Sequence, residues 1–235
     1  MKTNPCFSLC TALLTCLLFF SANSYSIASE AESPEDIAQR LQLRYDHMQS
    51  LTFNFNQDTR GEITGRPRKG SGTATFLKSA SKNQMRWDYT NPKRQVLLND
   101  GVLFYMYFEE LQQMIISPAE NLEKDLTYSF FSGKGKLQDD FHIRPADPDF
   151  GNDTATDFKV IKLVPITPQS QVQDIHLWVT TDSLIRRIHI QDHFGTVTVL
   201  NLSNIQPDAL KNMSRSQTEA LFSFTPPKDT EIIRQ

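Results

Sequence analysis

The chain has 235 residues, a net charge of −3, 39% apolar residues and 22% charged residues. That length suits one or two domains, the apolar content is too high for a disordered chain, and the lack of a basic excess excludes a nucleic-acid binder. Sixteen phenylalanines, with 12 prolines against 9 glycines, point to many short strands joined by firm turns.

At the N-terminus Lys2 precedes an apolar stretch from Phe7 to Phe20, and small residues follow around Ser26-Ile27-Ala28. Basic, then apolar, then small-x-small is the layout of a secretory signal peptide, and the apolar stretch falls short of the about 20 residues that span a membrane. Cleavage is expected after Ala28, leaving residues 29–235 as a single domain. Cys6, Cys10 and Cys16 all lie in the segment removed, so the exported chain is expected to carry no disulfide, no thiolate metal site and no cysteine nucleophile. Cys16 follows Thr15 inside the apolar stretch, where lipid attachment would need a small residue at the stretch's end.

Ser33-Pro34-Glu35-Asp36 opens a helix, with a serine cap, proline at the first helical position and acids in the first turn. Ile37, Leu41, Tyr45 and Met48 then form one apolar stripe. The period changes to two at Leu51, Phe53 and Phe55, with Thr52, Asn54 and Asn56 on the other side. Gly61 to Gly72 reads as a turn, Thr73–Leu77 as a strand, and Met85, Trp87 and Tyr89 share one face of the next. Asn91-Pro92 turns the chain, Gln95–Leu98 is a strand, and Asn99-Asp100-Gly101 is a hairpin signal. The run that follows, VLFYMYF at 102–108, is apolar on both sides. A strand with one wet face would alternate, so this one is either covered on both faces or lines a cavity.

Ser117-Pro118-Ala119-Glu120 carries the signature of a second capped helix, continued by Leu122, Leu126, Phe130 and Phe131. Pro145–Asp157 reads as a loop. Strands resume at Phe158–Val164, Asp174–Thr180, Leu184–Gln191 and Thr196–Ser203. A polar stretch at Pro207–Ser216 has room for a short helix, and Phe222–Pro227 reads as the last strand. Hairpin order makes the sheet antiparallel, and a sheet of about ten strands curls because strands twist. Two amphipathic helices are available to cover its concave side.

The motifs of catalysis are missing. There is no G-x-S-x-G elbow and no H-E-x-x-H, and the Gly65–Gly70 spacing of a phosphate loop is followed by Ser71 in place of lysine. His189 and His193 are four apart but lie on a strand-like stretch before Gly195, which does not align them for a metal. The chain reads as a non-enzyme without cofactor or metal.

One ordered set of residues carries a resemblance: Phe53-x-Phe55-x-Gln57, Met85-Arg86-Trp87-x-Tyr89-x-x-Pro92, Asp100-Gly101-x-Leu103-x-Tyr105, Gln113, and Phe222-x-Phe224-Thr225-Pro226-Pro227. It resembles the periplasmic outer-membrane lipoprotein carriers of the LolA family over nearly all of the chain after the signal peptide. The resemblance implies an α+β, mostly β fold: an unclosed antiparallel half-barrel of about ten to eleven strands, with lid helices over an apolar concave face. It implies a monomeric periplasmic carrier that takes lipoproteins bound for the outer membrane from an inner-membrane ABC-type releasing complex and hands them to an outer-membrane lipoprotein acceptor. On that reading Leu41, Tyr45, Met48, Leu122 and Leu126 form the lid. They close over an acyl cavity lined by Phe53, Phe55, Met85, Trp87, Tyr89, Leu103, Tyr105, Tyr107 and Trp178. The alternatives are a paralogue that binds another amphiphile or senses lipoproteins, and a periplasmic lipid hydrolase. The sequence departs from the family where an Arg-Pro pair often precedes the aromatic strand and its arginine bonds to the lid. Here the stretch is Lys78-Ser79-Ala80-Ser81-Lys82, and lysine lacks the planar fork of donors.

Overall fold

The structure, a computed structural model, describes residues 32–61, 67–79, 82–122, 130–131, 135–151, 157–169 and 171–235. The segment read as a signal peptide lies outside the described residues, as do Leu126 of the expected lid, Gly65 and Arg66, and Ala80 and Ser81. Among the described residues no helix is long and apolar enough to cross a membrane.

Helix α1, Pro34–His47, starts where its cap signal stands. Ser33 Oγ accepts the Asp36 amide at 3.1 Å, and the Asp36 carboxylate accepts the Ser33 amide at 3.3 Å. Each bond satisfies a donor that the helix itself leaves without a partner. Ile37, Ala38, Leu41 and Tyr45 are its buried stripe, and Met48 is the residue on which the helix ends.

Twelve described strands form one sheet: β1 Ser50–Arg60, β2 Arg68–Leu77, β3 Gln84–Asn91, β4 Gln95–Asn99, β5 Leu103–Phe108, β6 Gln113–Pro118, β7 Phe141–Pro145, β8 Phe158–Pro165, β9 Asp174–Thr180, β10 Ile185–Gln191, β11 Val197–Pro207 and β12 Glu231–Arg234. Their order is β12-β6-β5-β4-β3-β2-β1-β11-β10-β9-β8-β7, so β12 and β7 are the two edges and the sheet is unclosed. Neighbours are antiparallel except β12, which joins β6 in parallel.

Four local expectations need correction. Arg68 to Gly72 belongs to β2 rather than to a turn. A Cβ on Gly72 would stand 1.8 Å from the Asp88 carbonyl oxygen, where the β2–β3 register shifts, so this glycine marks close backbone approach inside a strand. Ser117 and Pro118 end strand β6, where Ser117 pairs with Phe104 across the ladder, rather than capping a helix; a 3-10 turn, Ala119–Leu122, follows, Phe130 and Phe131 are helical, and residues 123–129 lie outside the described residues. The loop at Pro145–Asp157 is shorter than expected: strand β7 ends on Pro145, and Pro148–Gly151 is a helical turn. Phe222–Pro227 is no strand. It follows the C-terminal helix Arg215–Leu221, and the final strand comes after the prolines as β12.

The doubly apolar run is explained by two covers. Along the inner face Phe53 stands opposite Ala74, Ala74 opposite Trp87, Trp87 opposite Leu97, and Leu97 opposite Met106. This row joins the main core under α1, together with Phe104. On the outer face Val96, Tyr107 and Met114 form one row and Leu98, Tyr105 and Ile116 another. They pack with Leu210, Leu221, Phe222 and Phe224 in a second core. Arg86 holds that cover from the outer side of β3, donating through Nη1 to the carbonyls of Leu221 at 2.7 Å and Ser223 at 3.0 Å.

Candidate functional site

The inner face has two halves. Strands β1 to β3 present Phe53, Phe55, Phe76, Met85, Trp87 and Tyr89, and β8 to β10 present aliphatic side chains such as Leu163, Ile175, Leu177, Ile185 and Ile188. Phe131 bridges lid and sheet, with its ring 5.9 Å from Tyr45, 5.8 Å from Phe53 and 5.0 Å from Phe76. Phe55 lies 4.7 Å from both Trp87 and Tyr89, tilted or edge-on, which are favourable arrangements for aromatic pairs.

Among the described residues, the gaps measured in this interior are small. The cavity between the aliphatic half and Phe130, Phe131, Leu137 and Phe141 measures about 30 Å³. That is room for about one or two water molecules and far too little for a fatty acyl chain. A second gap of about 10 Å³ lies beside Tyr45, Met48, Phe76 and Lys78. Leu41, Tyr45 and Met48 pack directly into the core formed by the inner face of the sheet.

The buried stripe of Ile37, Ala38, Leu41 and Tyr45 holds α1 down, and polar contacts add to it. Arg40 Nη1 donates to the Thr180 carbonyl at 2.7 Å and to Ser183 Oγ at 3.0 Å, while its Nε pairs with Glu32 at 2.6 Å. Tyr45 Oη accepts the Ile185 amide at 3.2 Å, and burial pushes its phenol far above the usual range. Lys136 Nζ binds Asp46 at 2.6 Å, and Gln42 Oε1 accepts the Leu137 amide at 2.9 Å. Lys78 Nζ donates to the Tyr45 carbonyl at the C-terminal end of α1. Burial pushes the Lys78 ammonium below its ordinary range, against the pull of Asp46. A cation is favoured at that end of a helix, and the Tyr45 carbonyl also accepts the Met48 amide at 3.3 Å.

Of the residues singled out in the sequence, Leu41, Tyr45, Met48, Phe53, Phe55, Met85 and Trp87 are brought together in this core, with Tyr89 and Leu122 packed at its margin. Four are not. Leu103, Tyr105 and Tyr107 belong to the outer core under the C-terminal helix, because β5 turns Phe104 and Met106 inward. Trp178 points outward from β9, where its ring packs edge-on against Phe150 and beneath the Arg187 guanidinium, since Ile175, Leu177 and Val179 take the inner side. Phe76, Phe104, Met106, Phe131 and the aliphatic half were missed. The Ala74–Phe76 and Ile175–Leu177–Val179 alternations were there to find them, whereas β5 is apolar on both sides and gives no parity signal.

A family model described as "Outer membrane lipoprotein carrier protein LolA" matches residues 46–225. The "Outer-membrane lipoprotein carrier protein" of Methylococcus capsulatus is 27% identical over 208 residues, covering 88% of this chain and 91% of that one. The protein of the same description from Legionella pneumophila is 24% identical and covers 94% of this chain and 98% of its own. Among solved structures, an uncharacterized conserved protein from Thermus thermophilus shares the fold, with a TM-score of 0.50, 13% identity, and coverage of 86% of this chain and 98% of that one.

Proposed function

We propose, for a chain that belongs to the LolA family of outer membrane lipoprotein carrier proteins, that its inner face is an acyl-chain site held shut by α1 in the empty state. The observation that carries this reading is the pairing of an apolar interior with a lid fastened by side-chain contacts. Burying a chain of about 16 carbons is worth on the order of 12 kcal/mol, which makes a shield necessary for any crossing of water. Side chains that are aromatic or bear sulfur, such as Tyr45, Met48, Phe53, Phe55, Met85, Trp87 and Tyr89, offer area without a single fixed geometry, so they can meet each other when empty and a guest when loaded. Leu41 and Leu122 complete the lid. Lys78 takes the role of the family's latching arginine, because its ammonium reaches the last turn of α1 from the start of the stretch that lacks Arg-Pro.

In this reading the signal sequence exports the chain to the periplasm. There it receives lipoproteins released from the inner membrane by an ABC-type complex and gives them to an outer-membrane acceptor, without catalysis of its own. The lid opens when cargo contacts replace the contacts that α1 makes with the sheet.

The test is native mass spectrometry of the protein purified from the periplasm, with and without Met85→Glu. The expected result is a lipoprotein adduct that disappears in the variant. A glycolipid or other amphiphile in its place, or an undiminished adduct in a folded Met85→Glu protein, would refute the assignment.

A further inference from the structure

A cavity larger than either of the gaps above lies off the inner face. A pocket of about 350 Å³ opens on the outer face, lined by Asp58, Arg60, Phe150, Arg187, His189, Val197, Val199 and Asn201. A volume of about 300 Å³ or more is typical of small-molecule sites. It is built from the outward positions of three adjacent strands, β1, β11 and β10, with Phe150 closing one side.

The chemistry of this pocket is unbalanced. Asp58 is already matched: Arg60 Nε lies 3.0 Å from one of its oxygens and Lys69 Nζ 3.8 Å from the other. Arg187 is different. Its guanidinium lies 4.8 Å from the centre of the Trp178 ring, and its Nε is buried with no hydrogen-bond partner among the described residues. His189, only 8% exposed, has a buried Nδ1 with no hydrogen-bond partner among the described residues. Among the described residues no carboxylate is paired with Arg187, and Asp174, opposite Gln191 on the neighbouring strand, lies 3.4 Å from Lys162. A buried donor left unmatched is costly, and a planar guanidinium is suited to a carboxylate or phosphate. Val197, Val199 and the Phe150 ring line the same pocket, so a purely polar anion would leave those walls unused.

We propose that the outer-face pocket is a second binding site, for a small amphiphilic anion whose phosphate or carboxylate head meets Arg187 and whose apolar body lies against Val197, Val199 and Phe150. The site is separate from the inner face and needs no lipoprotein for its test. The exported chain is titrated calorimetrically at low salt with phenyl phosphate, benzoate, inorganic phosphate and benzyl alcohol, and amide shifts of β10 and β11 locate the contact. Phenyl phosphate or benzoate binds with one-to-one stoichiometry, inorganic phosphate at least tenfold more weakly, and benzyl alcohol without measurable heat. Arg187→Gln weakens the aromatic anion at least tenfold, Val199→Glu does the same by placing a carboxylate in the pocket, and Arg215→Gln changes nothing. The proposal is overturned if neither aromatic anion binds the natural sequence, if inorganic phosphate binds as well as they do, or if folded Arg187→Gln binds unchanged. Where Arg187→Gln fails to fold, unchanged binding by Val199→Glu overturns it.

Discussion

Lys78, Tyr45 and Gly72 show how much single residues settle here. Lys78 spans from the end of β2 to the last turn of α1, and its charge there is partly desolvated, so removing it releases the lid rather than the sheet. Lys78→Met is expected to speed amide exchange in α1 severalfold over that in β1, as measured by hydrogen–deuterium exchange; equal protection in both proteins would remove Lys78 from the latch. Tyr45 makes the buried hydrogen bond between the lid and the start of β10, and Tyr45→Phe leaves the Ile185 amide without its partner. A loss of roughly 1–2 kcal/mol in urea unfolding is expected. Gly72→Ala has no room for its methyl against the Asp88 carbonyl, a backbone atom that cannot swing aside, and is expected to cost roughly 3 kcal/mol or to abolish folding.

At the scale of elements, parity within a strand decides which side of the protein a residue serves. β5 has two apolar faces because α1 with Phe131 covers one side of the sheet and the C-terminal helix with Phe222 and Phe224 covers the other. Tyr105 bonds Asp100 on the outer side at 3.1 Å, while Met85, of β3, faces inward. The two sides should therefore separate in experiment. Phe222→Ala is expected to destabilise the fold by about 3–4 kcal/mol through loss of outer packing and to leave acyl-chain binding to the remaining folded protein intact. Denaturation curves run beside a fluorescent fatty-acid binding assay distinguish the two effects, and a loss of binding without loss of stability would contradict the division into two faces.

For the whole molecule, buried titratable groups tie stability to pH. His176 and His189 lie under Phe150 on the outer face, at ring distances of 4.3 and 4.9 Å, facing Asp147, Asp174, Lys162 and Arg187. Burial holds both imidazoles below their ordinary range, against the pull of Asp174. The folded state thus binds fewer protons than the unfolded chain, and stability is present in full above the unfolded imidazole value of about 6.5 and declines as pH falls through it. The urea midpoint is expected to be lower at pH 5.5 than at pH 7.5, and His189→Gln should flatten part of that difference. At still lower pH the lid clip fails. Burial pulls the Asp46 carboxyl upward, but hydrogen bonds from Lys136 and Gln42 outweigh it and hold the group below its usual range. That contribution is lost as pH falls below about 4, where an apolar dye should begin to bind the exposed inner face.

Local pattern alone was sufficient for α1 and its cap, for the alternation of β1 and β3, for the Asn99-Asp100-Gly101 hairpin and for most inner-face residues of the aromatic half. In each case one short-range period or turn signal admits one reading. Strand β12 lies beyond a Pro-Pro pair, and β6 hides in a stretch that also carries a helix cap signal. Both depend on pairing with residues far away in the chain. The same holds for the outward course of Leu103, Tyr105, Tyr107 and Trp178, since alternation tells which residues share a face but not which face another element will cover. Only the folded sheet, with a cover on each side, decides that.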